Sequence, residues 1–101
     1  MLERLVASGK ADSFARYALA LEYRTLARYD AALEAFTELR KSDPEYLAQY
    51  LMAGQMLIEQ ARAADAIEWL EQGREVARRK ADHKTLGEIE AALESVSSSR
   101  G

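Results

Sequence analysis

Apolar side chains recur along the chain at helical spacing, and one segment departs from the amphipathic pattern of the rest. Residues 46–58 contain no charged residue, whereas 31% of the whole chain is charged. The apolar side chains of this segment, among them Leu47, Leu51 and Leu57, fall on every side of a helix. Because a helix that is apolar all round has to be covered all round, we predict a central helix with other helices packed on several sides.

Outside this segment, the apolar positions predict further helices with one or two stripes each. The helix after the first break has two stripes, one with Leu19 and Tyr23 and another with Phe14, Tyr17 and Leu21. Two stripes indicate two packing partners, or one packing partner and one ligand. The helices are expected at residues 1–9, 13–28, 31–41, 46–60, 63–79 and 83–96, with residues 97–101 frayed.

Residues that can bond the free backbone groups at helix ends mark the predicted boundaries. Aspartate and serine side chains accept hydrogen bonds from the first N–H groups of a helix, and Pro44 suits a first helical turn. The last helix has one narrow apolar seam, as an end-capping helix needs because nothing stacks beyond it. The predicted N-caps are Asp12 or Ser13, Asp30, Asp43 and Asp82.

Composition limits the possible functions. A length of 101 residues allows one domain, and 49% hydrophobic residues indicate a globular chain. The net charge of -3 argues against general nucleic-acid binding. There is no cysteine, and no segment has the length of a membrane span or the apolar core of a signal peptide. We therefore expect a soluble cytoplasmic protein without nucleic-acid or membrane partners.

A shift of 34 residues superimposes two parts of the sequence. At the superimposed positions, both copies have a small or an apolar residue. Paired helices with this period indicate a helical repeat. Small residues at shared places let helix backbones approach closely. The superimposed pairs are Leu19 with Ala53, Ala20 with Gly54, Tyr23 with Leu57, Ala32 with Ala66 and Phe36 with Leu70.

The sequence resembles the tetratricopeptide repeat family, of the small bacterial type, over residues 13–96. The resemblance implies an all-α fold: a right-handed superhelical stack of antiparallel helix pairs, an α-solenoid of about six helices. Residues 1–96 form a single domain in this interpretation, with a helix at 1–9, repeats at 13–46 and 47–80, and a capping helix at 83–96. The family pattern has L, G, Y, A, F and P at fixed positions. In the first repeat the matching residues are Leu19, Ala20, Tyr23, Ala32, Phe36 and Pro44.

The chain departs from the family pattern at several places. Arg16 and Tyr50 stand where tryptophan is common, and Arg78 replaces the second proline. Ala27 and Ala61 occupy turn positions that usually hold glycine. A residue with a Cβ in the left-handed conformation costs roughly 1–2 kcal/mol. We therefore expect these two turns to differ in shape from the glycine turns of the family.

In this family the first helix of each repeat is expected to line a concave groove that binds a peptide or an amphipathic helix. The alternative is that the chain's own terminal helices cover the groove. The charged clamp that some members use for a peptide's C-terminal carboxylate is missing, since Tyr17, Leu21 and Met52 hold the matching places. The resemblance implies groove residues Phe14, Tyr17, Leu21 and Arg24 from the first repeat and Leu51, Gln55, Ile58 and Glu59 from the second.

No residue set predicts catalysis, a metal site or a cofactor. His83 is the only histidine and lacks partners of metal-ligand type. Trp69 lies off its helix's main stripe, either as an exposed anchor or packed against the last helix. A basic run near the end of the fifth helix favours interaction with the helix dipole over an acidic partner; it comprises Arg74, Arg78, Arg79, Lys80 and Lys84.

The function that these observations favour is a non-catalytic adaptor that holds a peptide or helix of another protein. Two alternatives stay open. Because two repeats bury little surface and stacks usually need three or more, the chain could instead assemble with copies of itself. It could also act like a chaperone that holds apolar segments.

Overall fold

The computed structural model describes residues 10–100, and the side chains of residues 12–98. This range is helical without strands, which confirms the predicted all-α fold. The helix predicted at residues 1–9 lies outside the described residues. The five helices are α1 Lys10–Thr25, α2 Tyr29–Ser42, α3 Ala48–Glu59, α4 Ala63–Arg79 and α5 His83–Arg100.

The helices form two compact units that divide between Tyr46 and Leu47. In the first unit α1 packs against α2. In the second unit α4 contacts both α3 and α5, and α5 also contacts α3. Helix α3, in which the final Glu59 is the one charged residue, is therefore covered from more than one side within its own unit, as its sequence predicts.

The start of α1 differs from the prediction. It begins at Lys10, so the predicted caps Asp12 and Ser13 lie inside its first turns. Their side chains bond elsewhere: Arg16 Nε donates to Asp12 Oδ1 over 3.1 Å, and Ser13 Oγ donates to Asp43 Oδ2 over 2.7 Å. The cap prediction is wrong here because the two polar groups have other partners.

The caps predicted at Asp30 and Asp43 are also wrong. Asp30 lies inside α2, and Arg28 precedes the helix without a side-chain cap. Asp43 follows the other end of α2, where its N–H donates to the Leu39 carbonyl over 2.7 Å. It therefore ends α2 rather than starting α3, which begins only at Ala48.

Three turns inside the units share one backbone geometry. Ala27, Ala61 and Ala81 adopt left-handed φ angles of 58°, 59° and 53°. In each turn the alanine N–H bonds a carbonyl three residues back and the next N–H bonds a carbonyl five residues back, the Schellman arrangement. The prediction that the turns at Ala27 and Ala61 differ from glycine turns is wrong. The paired hydrogen bonds stabilise the left-handed turn despite the energetic cost of the alanine Cβ.

The predicted cap of the last helix is confirmed. The Thr85 N–H donates to Asp82 Oδ1 over 3.0 Å, and this bond, with a second from the Thr85 side chain, holds the pKa of Asp82 below its usual value. The helix continues to Arg100, so its predicted end at Val96 is corrected. No glycine or proline lies between Val96 and Gly101.

Each unit has its own buried side chains. Phe36 and Leu39 are fully buried in the first unit, and Leu70 and Ile89 are fully buried in the second. Trp69 is only 3% exposed, and its ring centroid lies 5.9 Å from that of Tyr50. The interpretation of Trp69 as an exposed anchor is therefore wrong.

Candidate functional site

Four of the predicted groove residues lie on one side of α1. Phe14, Tyr17, Leu21 and Arg24 are spaced by three or four residues, so helix geometry places them in one stripe. Phe14 is 59% exposed, and the other three side chains are half-buried. We call this stripe the α1 face.

Aromatic contacts hold the middle of the α1 face. The Tyr17 ring meets the buried Phe36 ring edge-on, with centroids 6.5 Å apart, and lies 5.2 Å from the Tyr46 ring. Ser13 and Asp43 join the start of α1 to the end of α2 through their side-chain hydrogen bond. Tyr17 is thus anchored on one edge and accessible on the other.

Tyr17 and the neighbouring Tyr46 both remain protonated at neutral pH. Burial raises the pKa of Tyr17, as does the nearby Tyr46, while Arg24 acts in the opposite direction. Burial and the carboxylate of Asp43 raise the pKa of Tyr46. Two phenol groups and a guanidinium therefore offer hydrogen-bond donors beside an exposed phenyl ring.

The predicted groove residues of the second unit have different surroundings. Leu51 and Ile58 are half-buried and pack against a cluster that includes Leu70, Ile89 and Leu93. Since Ile89 and Leu93 belong to α5, the last helix takes part in this packing. The alternative in which a terminal helix covers the groove stays a prediction.

The remaining predicted residues of α3 are more open. Gln55 is half-buried and Glu59 is exposed. The structure thus places Phe14 and Glu59 where a partner can reach them, while Leu51 and Ile58 share their surface with the chain's own core.

Sequence reasoning missed a pocket on the other flank of α1. It has a volume of about 230 Å³, and Leu19, Tyr23 and Ala35 are among its lining residues. A signal for it was available: at the 34-residue shift, Ala35 coincides with the much larger Trp69. A small residue at a place that holds a large one in the other repeat indicates unfilled space.

The basic run of α4 is partly neutralised by acidic neighbours. Arg78 lies 3.1 Å from Glu75 and 3.7 Å from Glu90, and Arg74 lies 4.0 Å from Glu71. In the described part of the chain no group of three histidine or acidic residues is arranged to hold a metal ion. No helix within residues 10–100 is long and apolar enough to cross a membrane.

Solved structures resemble this chain over most of its length. A tetratricopeptide repeat domain protein from Salinibacter ruber is 36% identical; its solution structure covers 88% of this chain and 90% of its own, with a TM-score of 0.79. Its crystal structure covers 84% and 96%, with a TM-score of 0.78. A protein from Bordetella parapertussis is 26% identical over 97% of this chain and 85% of its own, with a TM-score of 0.80. Neither a protein-family model nor a curated protein matches the sequence.

Proposed function

The chain belongs to the tetratricopeptide repeat family, and from this membership we propose that it is a non-catalytic adaptor that binds a peptide or amphipathic helix of a partner protein. Domains of this family generally mediate protein interactions. The α1 face supplies the principal contacts.

The exposure of Phe14 carries this proposal. A phenyl ring that is 59% exposed leaves apolar area in water, and burying that area on association is favourable. The ring stands in a stripe with Tyr17 and Leu21, so a partner side chain that covers Phe14 also meets the open edges of these two. Aromatic residues in such settings are frequent energetic anchors of interfaces.

The donors around Tyr17 indicate the chemistry of the partner segment. The hydroxyls of Tyr17 and Tyr46 and the guanidinium of Arg24 are donor groups, so we expect the segment to have acceptors beside its apolar side chains. Backbone carbonyls of an extended segment supply such acceptors, and so does an acidic side chain next to Arg24. The partner is therefore an apolar segment with carbonyl or carboxylate acceptors along one edge.

Capture of the partner by purified protein variants tests the proposal. Phe14→Asp places a charge on the most exposed residue of the α1 face, and we expect it to abolish partner capture from native lysate, as quantified by mass spectrometry. Leu26→Asp is the matched control because Leu26 is also 59% exposed but follows the end of α1, outside the stripe. It removes the same fraction of exposed apolar side chain and is expected to leave capture unchanged.

Three results would contradict the proposal. They are equal loss of capture in both variants, retention of capture in Phe14→Asp, and capture of only the chain itself. Light scattering at several concentrations detects self-assembly, and circular dichroism establishes that each variant stays helical. Tyr17→Asp and Leu51→Asp serve as a second pair, and unfolding of either identifies that residue as core, because Tyr17 meets Phe36 and Leu51 packs against the cluster that includes Leu70 and Ile89.

A further inference from the structure

The pocket on the second flank of α1 lies far around the helix from Phe14. Helical spacing puts Leu19 and Tyr23 well over a quarter-turn from the stripe of Phe14 and Tyr17. The pocket holds about 230 Å³, on the scale of a large side chain. The Arg28 guanidinium lies 5.5 Å from the centroid of the Tyr23 ring, which steadies one wall.

Comparison of the repeats shows why the pocket exists. At the 34-residue shift, its lining residues Arg16 and Ala35 correspond to Tyr50 and Trp69. In the second unit these two aromatic side chains are each 3% exposed and contact each other. In the first unit a methyl group replaces the indole and a flexible, charged chain replaces the phenol. The fold therefore accepts aromatic volume at this place, and the first repeat does not provide it.

Carboxylates mark the rim of the pocket. Glu34 and Glu38 line it from α2, one helical turn apart, and both are exposed. The one cation in the lining, Arg16, is bound by Asp12 over 3.1 Å. Lys41 approaches Glu38 only to 3.7 Å, with both side chains exposed, so it screens that carboxylate weakly. The rim is thus acidic around a largely apolar interior.

We propose that this pocket is a second docking site, which receives an aromatic side chain from a basic segment of a partner protein. The aromatic ring occupies the space beside Ala35 that an indole fills in the other repeat. Lysine or arginine residues one helical turn from that ring pair with Glu34 and Glu38. The site does not depend on the α1 face, so it stands or fails independently of the function proposed above.

A designed peptide tests the site directly. The probe is a labelled helical peptide with one tryptophan, lysines one turn away on either side, and alanine elsewhere. Binding to the full chain is followed by fluorescence anisotropy at low salt and by amide chemical shifts. We expect saturable binding with shifts centred on Ala31, Ala35 and Leu19. Replacing the tryptophan by alanine should weaken binding about thirty-fold or more.

Protein variants locate the contact. Ala35→Trp gives the first repeat the side chain of the second, fills the pocket, and should abolish binding. Glu34→Gln with Glu38→Gln should weaken binding about two- to fivefold each, more at low salt than at high salt. Glu68→Gln is the matched control, because Glu68 holds the place of Glu34 in the second repeat, and it should have no effect. The glutamine variants keep the test valid if Ala35→Trp fails to fold.

Four outcomes would overturn the proposal. The first is binding that survives in both the Ala35→Trp and the doubly neutralised chain. The second is peptide shifts centred on Phe14 and Tyr17 instead. The third is concentration-dependent shifts at Ala35 without peptide, which would make a second copy of the chain the occupant. The fourth is binding that appears only in a full chain carrying Leu5→Asp, which would make the chain's own first residues the occupant.

Discussion

The two units fill corresponding positions in opposite ways. In the second unit Tyr50 lies directly against Gly73, so a Cβ on that glycine would overlap Tyr50 Cβ. In the first unit the corresponding residues are Arg16 and Leu39, and Leu39 is fully buried. At this position the second unit has its large side chain, Tyr50, on the first helix of the pair and a glycine on α4, whereas the first unit has its buried side chain, Leu39, on α2. One backbone plan thus accepts two distributions of side-chain volume.

The units also differ in what happens to the stripe on their first helix. On α1 it holds Phe14 and Tyr17, exposed or half-buried. On α3 the corresponding residues are Ala48 and Leu51, and Leu51 packs against the cluster that includes Ile89 of α5. The second unit therefore uses this stripe partly for its own core. The first unit keeps aromatic and donor groups on it, which is what a binding surface needs.

Gly73→Ala gives the largest effect that we expect from this comparison. The new Cβ meets Tyr50 Cβ, which cannot move without its backbone, so the protein should lose about 1–3 kcal/mol of unfolding free energy in urea denaturation. Gly87→Ala is the control, because a Cβ there would meet no atom within 4 Å beyond its chain neighbours and its own helix backbone. It should gain about 1 kcal/mol from helix propensity. Equal effects in the two variants would show that Tyr50 does not set the need for glycine.

The turns provide a second, smaller test of the shared backbone. Replacing Ala27, Ala61 or Ala81 by glycine removes the left-handed Cβ penalty of about 1–2 kcal/mol and adds an unfolded-state entropy cost of about 0.5–1 kcal/mol. Each variant should therefore gain up to about 1.5 kcal/mol in urea denaturation. Ala91→Gly, at an exposed position inside α5, should lose about 1 kcal/mol instead. Destabilisation at all three turns would mean that they are not left-handed in solution.

The smallest effect that we expect concerns helix capping, which differs between the turn at Ala81 and the turn at Ala27. Asp82 caps α5 and has a pKa below its usual value, whereas α2 starts after Arg28 without a side-chain cap. The Asp82 carboxylate therefore contributes stability above the ordinary aspartate pKa of about 3.9, and that contribution is lost as the pH falls through the folded-state value. Asp82→Ala should lower the melting temperature at pH 7, and the difference should vanish in acid. Asp30→Ala, in the first turn of α2, should change it less at either pH.

The period of 34 residues and the small residues that share it predicted the helix pairs, because close helix packing requires short side chains at fixed places. The cap positions at the start of α1 and α3 were not predictable in the same way. The Ser13 hydroxyl donates its hydrogen bond to Asp43, thirty residues away along the chain. A local sequence pattern cannot predict so distant a contact. Local signals were reliable at Asp82, where the accepting carboxylate and the donating Thr85 N–H lie three residues apart.

The candidate site shows a similar limit. The second apolar stripe of α1 predicted that Phe14 and Tyr17 share a surface, which the helix geometry bears out. The pattern could not separate Leu51 from Phe14, because the contribution of α5 to the packing around Leu51 depends on tertiary contacts. The pocket beside Ala35 was not predicted for another reason. It arises because the first repeat has a small side chain where the second has a large one, and only the comparison of Ala35 with Trp69 reveals this difference.

Site-specific photo-crosslinking measures most directly whether the α1 face binds a partner. A benzoyl-phenylalanine at position 14 keeps an aromatic ring on the face, and the same residue at position 26 samples an equally exposed place outside it. After irradiation in the native lysate, we predict a discrete protein adduct from position 14 and none from position 26. Adducts of equal yield from both positions, or an adduct from position 26 alone, would contradict the assignment of this face as the binding surface.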